Sequence, residues 1–273
     1  MRARRRRKAS ASKKGRAVTP ADRVRAGLIA AWRDRIRHIE GHVLVEMNGL
    51  LLALTNLPDD ELNVALVARK PDDPLEALAI AEQWFRWRGH RFGIEIELGH
   101  HPDVDHAVAM LGLDVAAERP GMAVAVADVE PPQIPDGVEI RRVLTPEDLH
   151  AAVVVNVGSF GMLPEVAERF LGPRVLSVPR TRLYIALLDG ESVGCASTDL
   201  HEGAVGVFGV GTLPRARRRG IGTAITAFAL DDLRRRADLA WLHPTEMGRS
   251  MYEAMGFHPV SEWAVFARVD PFA

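Results

Sequence analysis

Between residues 207 and 224, a run of apolar residues leads into a basic loop that contains glycine, and a helix pattern begins directly after it. The loop has the spacing Arg217-x-x-Gly220-x-Gly222, and two further arginines fill the gap. Glycine lets successive backbone N–H groups turn toward one point, and a helix N-terminus adds partial positive charge there. The segment therefore predicts a strand, a loop and a helix that together bind a pyrophosphate group.

Two common phosphate-binding motifs are excluded by this spacing. The segment lacks the Gly-x-x-x-x-Gly-Lys-Ser/Thr pattern of a P-loop. It also lacks the fingerprint of a Rossmann fold, because the elements around it do not form a parallel βαβ unit. A basic surface loop without a ligand is the alternative interpretation.

The segment resembles motif A of the GNAT acyltransferases, in which Arg/Gln-x-x-Gly-x-Gly/Ala follows a strand. Leu213 and Pro214, before the loop, are also similar to that family. Near the end of the chain, the run from Tyr252 to Phe257 is similar to the Tyr-Glu-x-x-Gly-Phe segment that closes the family's fold. The two motifs occur in the family's order and separation, and the resemblance covers about half of the chain.

The resemblance implies a site for acetyl-CoA. The pyrophosphate would lie on the loop and the first helical turn, and the pantetheine arm would pair like a strand with the end of the preceding strand. A backbone N–H near Val210 would hold the thioester oxygen. Thr245 stands where many members have asparagine. The residues assigned to the cofactor in this way are Val210, Gly211, Thr212, Arg217, Arg218, Arg219, Gly220, Ile221, Gly222, Thr223 and Thr245.

The resemblance also implies a general acid, because Tyr252 falls on the family's tyrosine that protonates the leaving thiolate. Packing beside Phe257 is the alternative role for its ring. The attacking amine must be neutral, which requires a base, and the family does not place that base at a constant position. Glu202, His201 and Asp199 are candidates in the turn that leads into the cofactor-binding strand, and we select Glu202. A solvated turn residue is the alternative for each of them.

An internal repeat relates the two halves of the chain at an offset of 144 residues. Met110-Leu-Gly-Leu matches Ala254-Met-Gly-Phe, and in both places a helix pattern ends at glycine and a strand pattern follows. At the same offset, Asp73–Leu78 replaces the arginine and glycine loop, and its acidic residues would repel phosphate. The first copy is therefore predicted to share the fold without binding CoA.

The domain organisation follows from the repeat and from one linker. Residues 128–137 contain three prolines and end in Asp-Gly, which is typical of a connection between domains. We predict a disordered basic tail at 1–20, a degenerate GNAT-like domain at 21–127, a linker at 128–137 and a catalytic GNAT N-acetyltransferase domain at 138–273. The fold class is α+β, with two GNAT-like domains, each a mostly antiparallel central sheet flanked by helices.

Charge is distributed unevenly along the chain. Nine of its 35 Lys and Arg residues lie in residues 1–17, which leaves 26 basic against 36 acidic residues in the remainder. Such a tail could contact nucleic acid, but no aromatic residue that could stack on bases is interleaved with its arginines. No run reaches the ~20 apolar residues of a membrane span, no signal-peptide core follows the tail, and Cys195 is the single cysteine. These features predict a cytoplasmic protein without a disulfide.

The sequence thus predicts an enzyme that transfers the acetyl group of acetyl-CoA to a primary amine by direct attack in a ternary complex. No metal is predicted, because His100, His101 and His106 have no carboxylate at a metal-binding spacing. No motif identifies the acceptor or the oligomeric state. Two alternatives stay open: a mycothiol-synthase-like acetyltransferase, which is also a tandem arrangement, and a non-catalytic CoA-binding sensor or adaptor whose basic tail contacts nucleic acid.

Overall fold

The computed structural model describes residues 17–57 and 62–268. The predicted basic tail lies outside these residues except for 17–20, so its order and its contact with nucleic acid stay predictions. Pro20 already belongs to the first helix, which begins there because Thr19 and Asp22 form a capping box. The Thr19 hydroxyl accepts the Asp22 N–H, and the Asp22 carboxylate accepts the Thr19 N–H at 2.9 Å.

The first half of the chain alternates short strands with helices. Its elements are α1 (Pro20–Ile36), β1 (Val43–Met47), β2 (Leu50–Leu54), β3 (Val64–Val67), α2 (Pro74–Arg86), β4 (Gly93–Glu97), α3 (Pro102–Met110) and β5 (Asp114–Ala125). The strand β5 is much longer than the sequence pattern indicates, because we predicted only residues 122–127 as a strand. Its first residues are largely exposed, so they carry no hydrophobic alternation.

The second half has one strand and two helices before its first repeated strand, where the first half has the single helix α1. Its elements are β6 (Val138–Arg142), α4 (Pro146–Phe160), α5 (Pro164–Phe170), β7 (Thr181–Leu188), β8 (Glu191–His201), β9 (Ala204–Thr212), α6 (Ile221–Leu233), β10 (Leu239–Leu242), α7 (Glu246–Ala254) and β11 (His258–Ala267). The run from β7 to β11 has the same order as the run from β1 to β5. The internal repeat is therefore present in three dimensions.

All described strands belong to a single sheet, in the order β1-β2-β3-β4-β11-β5-β10-β9-β8-β7-β6. The pairs β3–β4 and β9–β10 are parallel, and the other neighbours are antiparallel. The predicted α+β class with a mostly antiparallel sheet is thus confirmed. The basic loop therefore does lie in a parallel βαβ unit, made of β9, α6 and β10, and the expectation that it would not was wrong. From one side the sheet reads β1, β2, β3, β4 and β11, and from β7 it reads β7, β8, β9, β10 and β5, which are the equivalent strands of the other copy. A pseudo-twofold axis therefore lies between β11 and β5.

The two halves exchange their last strands at this axis. β5, from the first half, pairs with β10 of the second half, and β11 pairs with β4 of the first half. β5 and β11 also pair with each other over almost their whole length. The sheets that we expected to be separate are consequently one sheet. The hydrogen-bond ladder that joins them is made by backbone groups and has no side-chain motif in the sequence.

Helices cover both faces of the sheet. One face, which we call the α6 face, packs against α2, α3, α6 and α7, with Leu52, Ile94 and Val205 among its buried residues. The opposite face, which we call the α1 face, packs against α1 across both halves and against α4 in the second half. The helix α1 therefore covers the junction of the halves, where Trp241 and Trp263 are buried.

The segment that was predicted as a linker packs against the second half. Val129 is buried beside Leu230 and Leu233 of α6, and the Arg234 guanidinium donates to the Val129 carbonyl at 2.8 Å. A Cβ placed on Gly220 would lie 3.7 Å from the Pro135 side chain, so the segment passes beside the basic loop. The domain boundary at 128–137 itself stays a prediction.

A fragment of residues 130–273 is expected not to form a stable fold by itself. In that fragment β10 lacks its partner β5, and β11 lacks both of its neighbours in the sheet. Coexpression with residues 1–129 should restore a cooperative thermal transition in circular dichroism. The matched control is the intact chain cut after folding within 128–137, which should keep its transition. A lone fragment that melts like the intact chain would contradict the role of strand exchange.

Candidate active site

The strands β9 and β10 separate after a short parallel contact. They pair only from Ala204 to Gly206 on β9, opposite Leu239 to Trp241 on β10. Beyond that point the register of β9 against β8 shifts, and Gly209 has a φ of +55°, so the strand bulges. The bulge turns the end of β9 away from β10. It opens a gap in the sheet where an extended ligand can pair with the backbone near Val210.

The N-terminus of α6 presents free N–H groups beside this gap. Gly220 is its N-cap with a φ of +75°, and no side chain caps the helix. In the part of the chain that the structure describes, the backbone N–H groups from Arg218 to Thr223 have no acceptor. The first helical bond is donated by Ala224 to the Gly220 carbonyl at 2.9 Å. Such a terminus combines unsatisfied donors with the positive end of the helix dipole, which suits an anion.

The three arginines of the loop have different surroundings. Arg217 donates to the backbone carbonyls of Thr212 at 3.0 Å and Ser159 at 3.2 Å, so it ties the end of β9 to α4. Arg218 is exposed, has a φ of +64° and lines the cavity described below. Arg219 is also exposed but does not line that cavity. The structure therefore assigns Arg217 a structural contact and leaves Arg218 free to face a ligand.

A single cavity of about 1310 Å³ joins the basic loop, the gap in the sheet and the junction of the halves. It is lined by every residue that the sequence assigned to acetyl-CoA except Arg219, and also by Tyr252. On its other side it is lined by residues of the first half, from α1, β3, β4 and β5. The cavity has room for a long cofactor and for a second substrate.

Tyr252 both packs in the core and lines the cavity. Its ring meets Phe257 edge-on at a centroid distance of 5.7 Å, on the α6 face. Burial raises the pKa of the phenol well above its usual value, and a hydrogen bond with the Thr226 hydroxyl opposes the shift only in part. The two roles considered for this residue are therefore compatible, because a phenol that stays protonated can serve as a proton donor.

Glu202 is not brought into the cavity. It lies in the turn between β8 and β9 with its side chain 86% exposed, and Val210 is eight residues further along β9, roughly 25 Å at ~3.3 Å per residue. Asp199 is buried, but it is engaged by Arg35 and by the Thr181 hydroxyl. His201 lies at the same turn as Glu202. None of the three lines the cavity, because their turn lies at the start of β9 and the cavity lies along its far end.

A buried polar cluster that the sequence analysis missed lines the cavity at the junction of the halves. Glu95 on β4 is 1% exposed and accepts hydrogen bonds from Arg119 of β5 at 3.0 Å and from the Trp32 indole at 3.2 Å. His243 follows β10, and its Nδ1 lies 4.0 Å from a Glu95 oxygen. Glu95 alternates with isoleucines as a solvent-facing residue would, so no sequence signal marks it as buried.

The counterpart of the basic loop in the first half cannot serve as an anion site. In the structure α2 corresponds to α6, and Asp73 caps its N-terminus by accepting the Glu76 N–H at 3.0 Å. A carboxylate thus occupies the place that a phosphate would need. The N-cap residues of the two helices, Asp73 and Gly220, are separated by three residues more than the offset of 144 in the sequence repeat. The conclusion about the first half does not depend on that difference.

The described part of the chain holds neither a membrane-spanning helix nor a cluster of metal-binding side chains. Between 17 and 57 and between 62 and 268, no helix is long and apolar enough to cross a membrane. In the same ranges, no three His, Cys, Asp or Glu side chains gather where they could hold a metal ion.

Comparison with known proteins places these features in context. Residues 179–259 match the family model of the acetyltransferase (GNAT) domain. A mycothiol acetyltransferase of Streptomyces avermitilis is 29% identical over 214 residues, which cover 68% of this chain and 70% of that protein.

Solved structures match both halves of the chain. A GCN5-related N-acetyltransferase from Kribbella flavida superposes with a TM-score of 0.75 at 23% identity, covering 93% of this chain and 97% of that one. A tandem GNAT protein from the clavulanic acid biosynthesis pathway superposes with a TM-score of 0.62 at 19% identity, covering 92% and 89%. The likeness of fold thus extends over both copies of the repeat.

Replacement of Gly220 by glutamate should abolish the rise in melting temperature that acetyl-CoA produces. The added carboxylate would lie at the free N–H groups of α6 and repel the pyrophosphate. At a ligand concentration about 100 times Kd, the lost stabilisation corresponds to about 2.7 kcal/mol. The matched control is Gly190→Glu, whose φ of +85° imposes similar strain in a turn with open space around it. A folded Gly220→Glu protein that keeps the shift would refute the assignment of this loop.

Calorimetric titration should give one acetyl-CoA per chain. The N-terminus of α6 in the second copy has no side-chain cap and lies beside a gap in the sheet, whereas Asp73 caps the equivalent helix α2 of the first copy. The stoichiometry should stay at one in the variant Asp73→Ala, since that change removes a carboxylate without adding a basic loop. Two sites per chain in the parent protein would overturn the distinction between the copies.

Proposed function

Because the chain belongs to the GNAT acetyltransferase superfamily, we propose that it transfers the acetyl group of acetyl-CoA to a primary amine while both substrates are bound. The observation that carries the proposal is the single cavity in which the uncapped N-terminus of α6, the gap beside β9 and the Tyr252 phenol all lie. These are the groups needed to hold a pyrophosphate, to align a thioester and to protonate a leaving thiolate.

Donor binding follows from the backbone at the end of β9 and the start of α6. The N–H groups from Arg218 to Thr223 would receive the pyrophosphate, and the Arg218 side chain would add a full charge. The pantetheine arm would pair with the free backbone edge of β9 from Val210 to Thr212. Thr245 lines the same cavity, although its hydroxyl already accepts the Gly248 N–H as the cap of α7.

The proposed reaction needs a polarised carbonyl and a protonated leaving group. The amine nitrogen attacks the thioester carbon, and negative charge on the oxygen is stabilised by a backbone N–H near Val210. As the carbon–sulfur bond breaks, Tyr252 gives its proton to the thiolate sulfur. Burial raises the pKa of the phenol, so its proton is present at neutral pH when the thiolate departs.

A mycothiol precursor is the acceptor that we propose, in preference to an unspecified amine. Support comes from the curated relatives named mycothiol acetyltransferase, one of which aligns with 86% of this chain and thus with both halves. The first half lines the side of the cavity away from the basic loop, where the proposed acceptor would bind, so similarity in that half bears on the choice of acceptor.

Turnover with defined acceptors tests this proposal. Purified protein is incubated with acetyl-CoA and either the mycothiol precursor that lacks the acetyl group or a panel of simple primary amines, and mass spectrometry detects the acetylated product. We expect the mycothiol precursor to give the largest kcat/KM. Acetylation of another amine alone would overturn the acceptor, and tight acetyl-CoA binding without any product would favour the sensor or adaptor.

The variant Tyr252→Phe should turn over roughly 10²–10⁴ times more slowly than the parent, because it lacks the general acid. Its affinity for acetyl-CoA should change little, since the missing interaction is made mainly in the transition state. The matched control is Tyr184→Phe, which removes a buried hydroxyl bonded to Asp232 at 2.9 Å outside the cavity. Equal kcat for Tyr252→Phe and the parent would leave this tyrosine with a packing role only.

A further inference from the structure

We propose that His243 is the base that accepts the proton of the attacking amine, and that Glu95 of the first half is its positioning residue. This inference rests on the proposed acetyl transfer and adds to it a base other than Glu202, which does not line the cavity. It also gives the first half, which has no CoA loop, a part in the reaction.

The position of His243 provides the first argument. It follows β10 directly, at the place where β9 and β10 have separated, and it lines the cavity. Its side chain is 8% exposed, and its ring lies near those of Trp241 and Trp263, at 5.9 and 5.3 Å between centroids. Its Nε2 is buried and has no partner among the described residues. Other buried polar atoms of the described residues, such as His38 Nδ1, also have no partner, but His243 belongs to the lining of the cavity, where a ligand can supply one.

Glu95 supplies the second argument, because it faces the other nitrogen of the ring. A Glu95 carboxylate oxygen lies 4.0 Å from Nδ1, and hydrogen bonds from Arg119 and Trp32 hold the carboxylate in place. A carboxylate beside Nδ1 favours the tautomer in which Nδ1 carries the proton. Nε2 then keeps its lone pair and can accept a proton from a ligand in the cavity, as in other pairs of carboxylate and imidazole.

The two faces of the sheet supply the third argument. Tyr252 belongs to the core cluster of the α6 face, whereas the tryptophans around His243 belong to the cluster of the α1 face. The gap between β9 and β10 connects the two faces. Direct transfer needs the acid on the side of the departing sulfur and the base on the side of the arriving nitrogen, and the gap separates Tyr252 from His243 in this way.

Charge in the cluster favours a neutral imidazole. Burial and the Arg119 guanidinium lower the pKa of His243 to about 3, so the ring is unprotonated at physiological pH. The Arg119 charge is itself balanced by Glu95, and the ring therefore faces an ion pair rather than a lone charge. A weak base is sufficient here, because the proton leaves a nitrogen that has become positively charged on forming its bond to carbon.

The proton balance of the step is complete. The amine lone pair forms the nitrogen–carbon bond, and the carbon–sulfur bond breaks with its electron pair going to sulfur. One amine proton moves to His243 Nε2, and the Tyr252 proton moves to the sulfur. The products are the N-acetylated acceptor and CoA with a free thiol, and proton exchange with water restores both residues.

The test compares His243→Ala with His38→Ala in the full-length chain. His38 is a matched control, because its side chain also packs in the fold, but its Nε2 contacts the Phe170 carbonyl at 2.8 Å and it does not line the cavity. With the mycothiol precursor as acceptor, His243→Ala should lower kcat roughly 10²–10⁴-fold and should keep the thermal shift with acetyl-CoA. His38→Ala should keep the parent kcat.

Rescue by imidazole distinguishes a base from a packing residue. Added imidazole should restore part of the lost rate to His243→Ala, because it can enter the space that the side chain leaves. A His243→Ala protein that turns over like the parent, or that imidazole does not rescue, would overturn the inference while leaving the proposed function intact. A parent protein that binds acetyl-CoA but acetylates no acceptor would overturn the proposed function and this inference with it.

Glu95→Gln is compared with Glu97→Gln on the same strand and the same face. Glu97 is also paired with an arginine, Arg25, but does not line the cavity. Glu95→Gln should lower kcat by at least about tenfold, whereas Glu97→Gln should not. In the His243→Ala background, Glu95→Gln should have no further effect, because the residues act as a unit. An equal effect in both backgrounds would show that Glu95 acts on the fold alone.

Discussion

The exchange of β5 and β11 is the constraint on which the rest of the molecule depends. Each half donates its last strand to the other, so the central ladder of the sheet contains two strands from each half in alternation. Because these strands pair with each other along almost their whole length, the two halves cannot move apart without breaking that ladder. The cavity lies beside this junction, and its walls are consequently held by both halves.

The equivalent strand, loop and helix of the two copies of the repeat differ in how the N-terminus of the helix is capped. In the first copy, Asp73 caps α2 and satisfies its free N–H groups with a carboxylate from the chain itself. In the second copy, Gly220 caps α6 without a side chain, and the N–H groups stay open to an anion. One side chain at the helix terminus thus distinguishes the copy whose helix is closed to anions from the copy whose helix is open to them. The first copy contributes instead Glu95 of β4 and Arg119 of β5, which line the cavity.

Two ionisable side chains are buried where the halves meet. Glu95 pairs there with the partly exposed Arg119, and His243 has a buried nitrogen without a partner in the described chain. An unpaired buried polar atom costs free energy, which is the reason to seek a chemical role for His243. Burial lowers the pKa of His243. On the opposite face it raises the pKa of Tyr252, so that the phenol retains its proton. Burial therefore favours the uncharged forms of the proposed acid and base, which lie on two sides of one gap.

Sequence alone determined the features that lie within one continuous segment. The basic loop, Tyr252 and the capped helices such as α4 after Thr145 are encoded by neighbouring residues, because a helix terminus and its capping groups are only a few residues apart. The repeat was also visible, since each copy carries its own helix ends.

Tertiary structure alone decided the strand exchange, the length of β5 and the surroundings of the proposed base. The turn at Glu202 is adjacent to β9 in sequence but far from its bulge in space, whereas Glu95 and His243 are remote in sequence and adjacent in the fold. Backbone ladders between distant strands carry no side-chain code, so no pattern along the chain could bring these residues together.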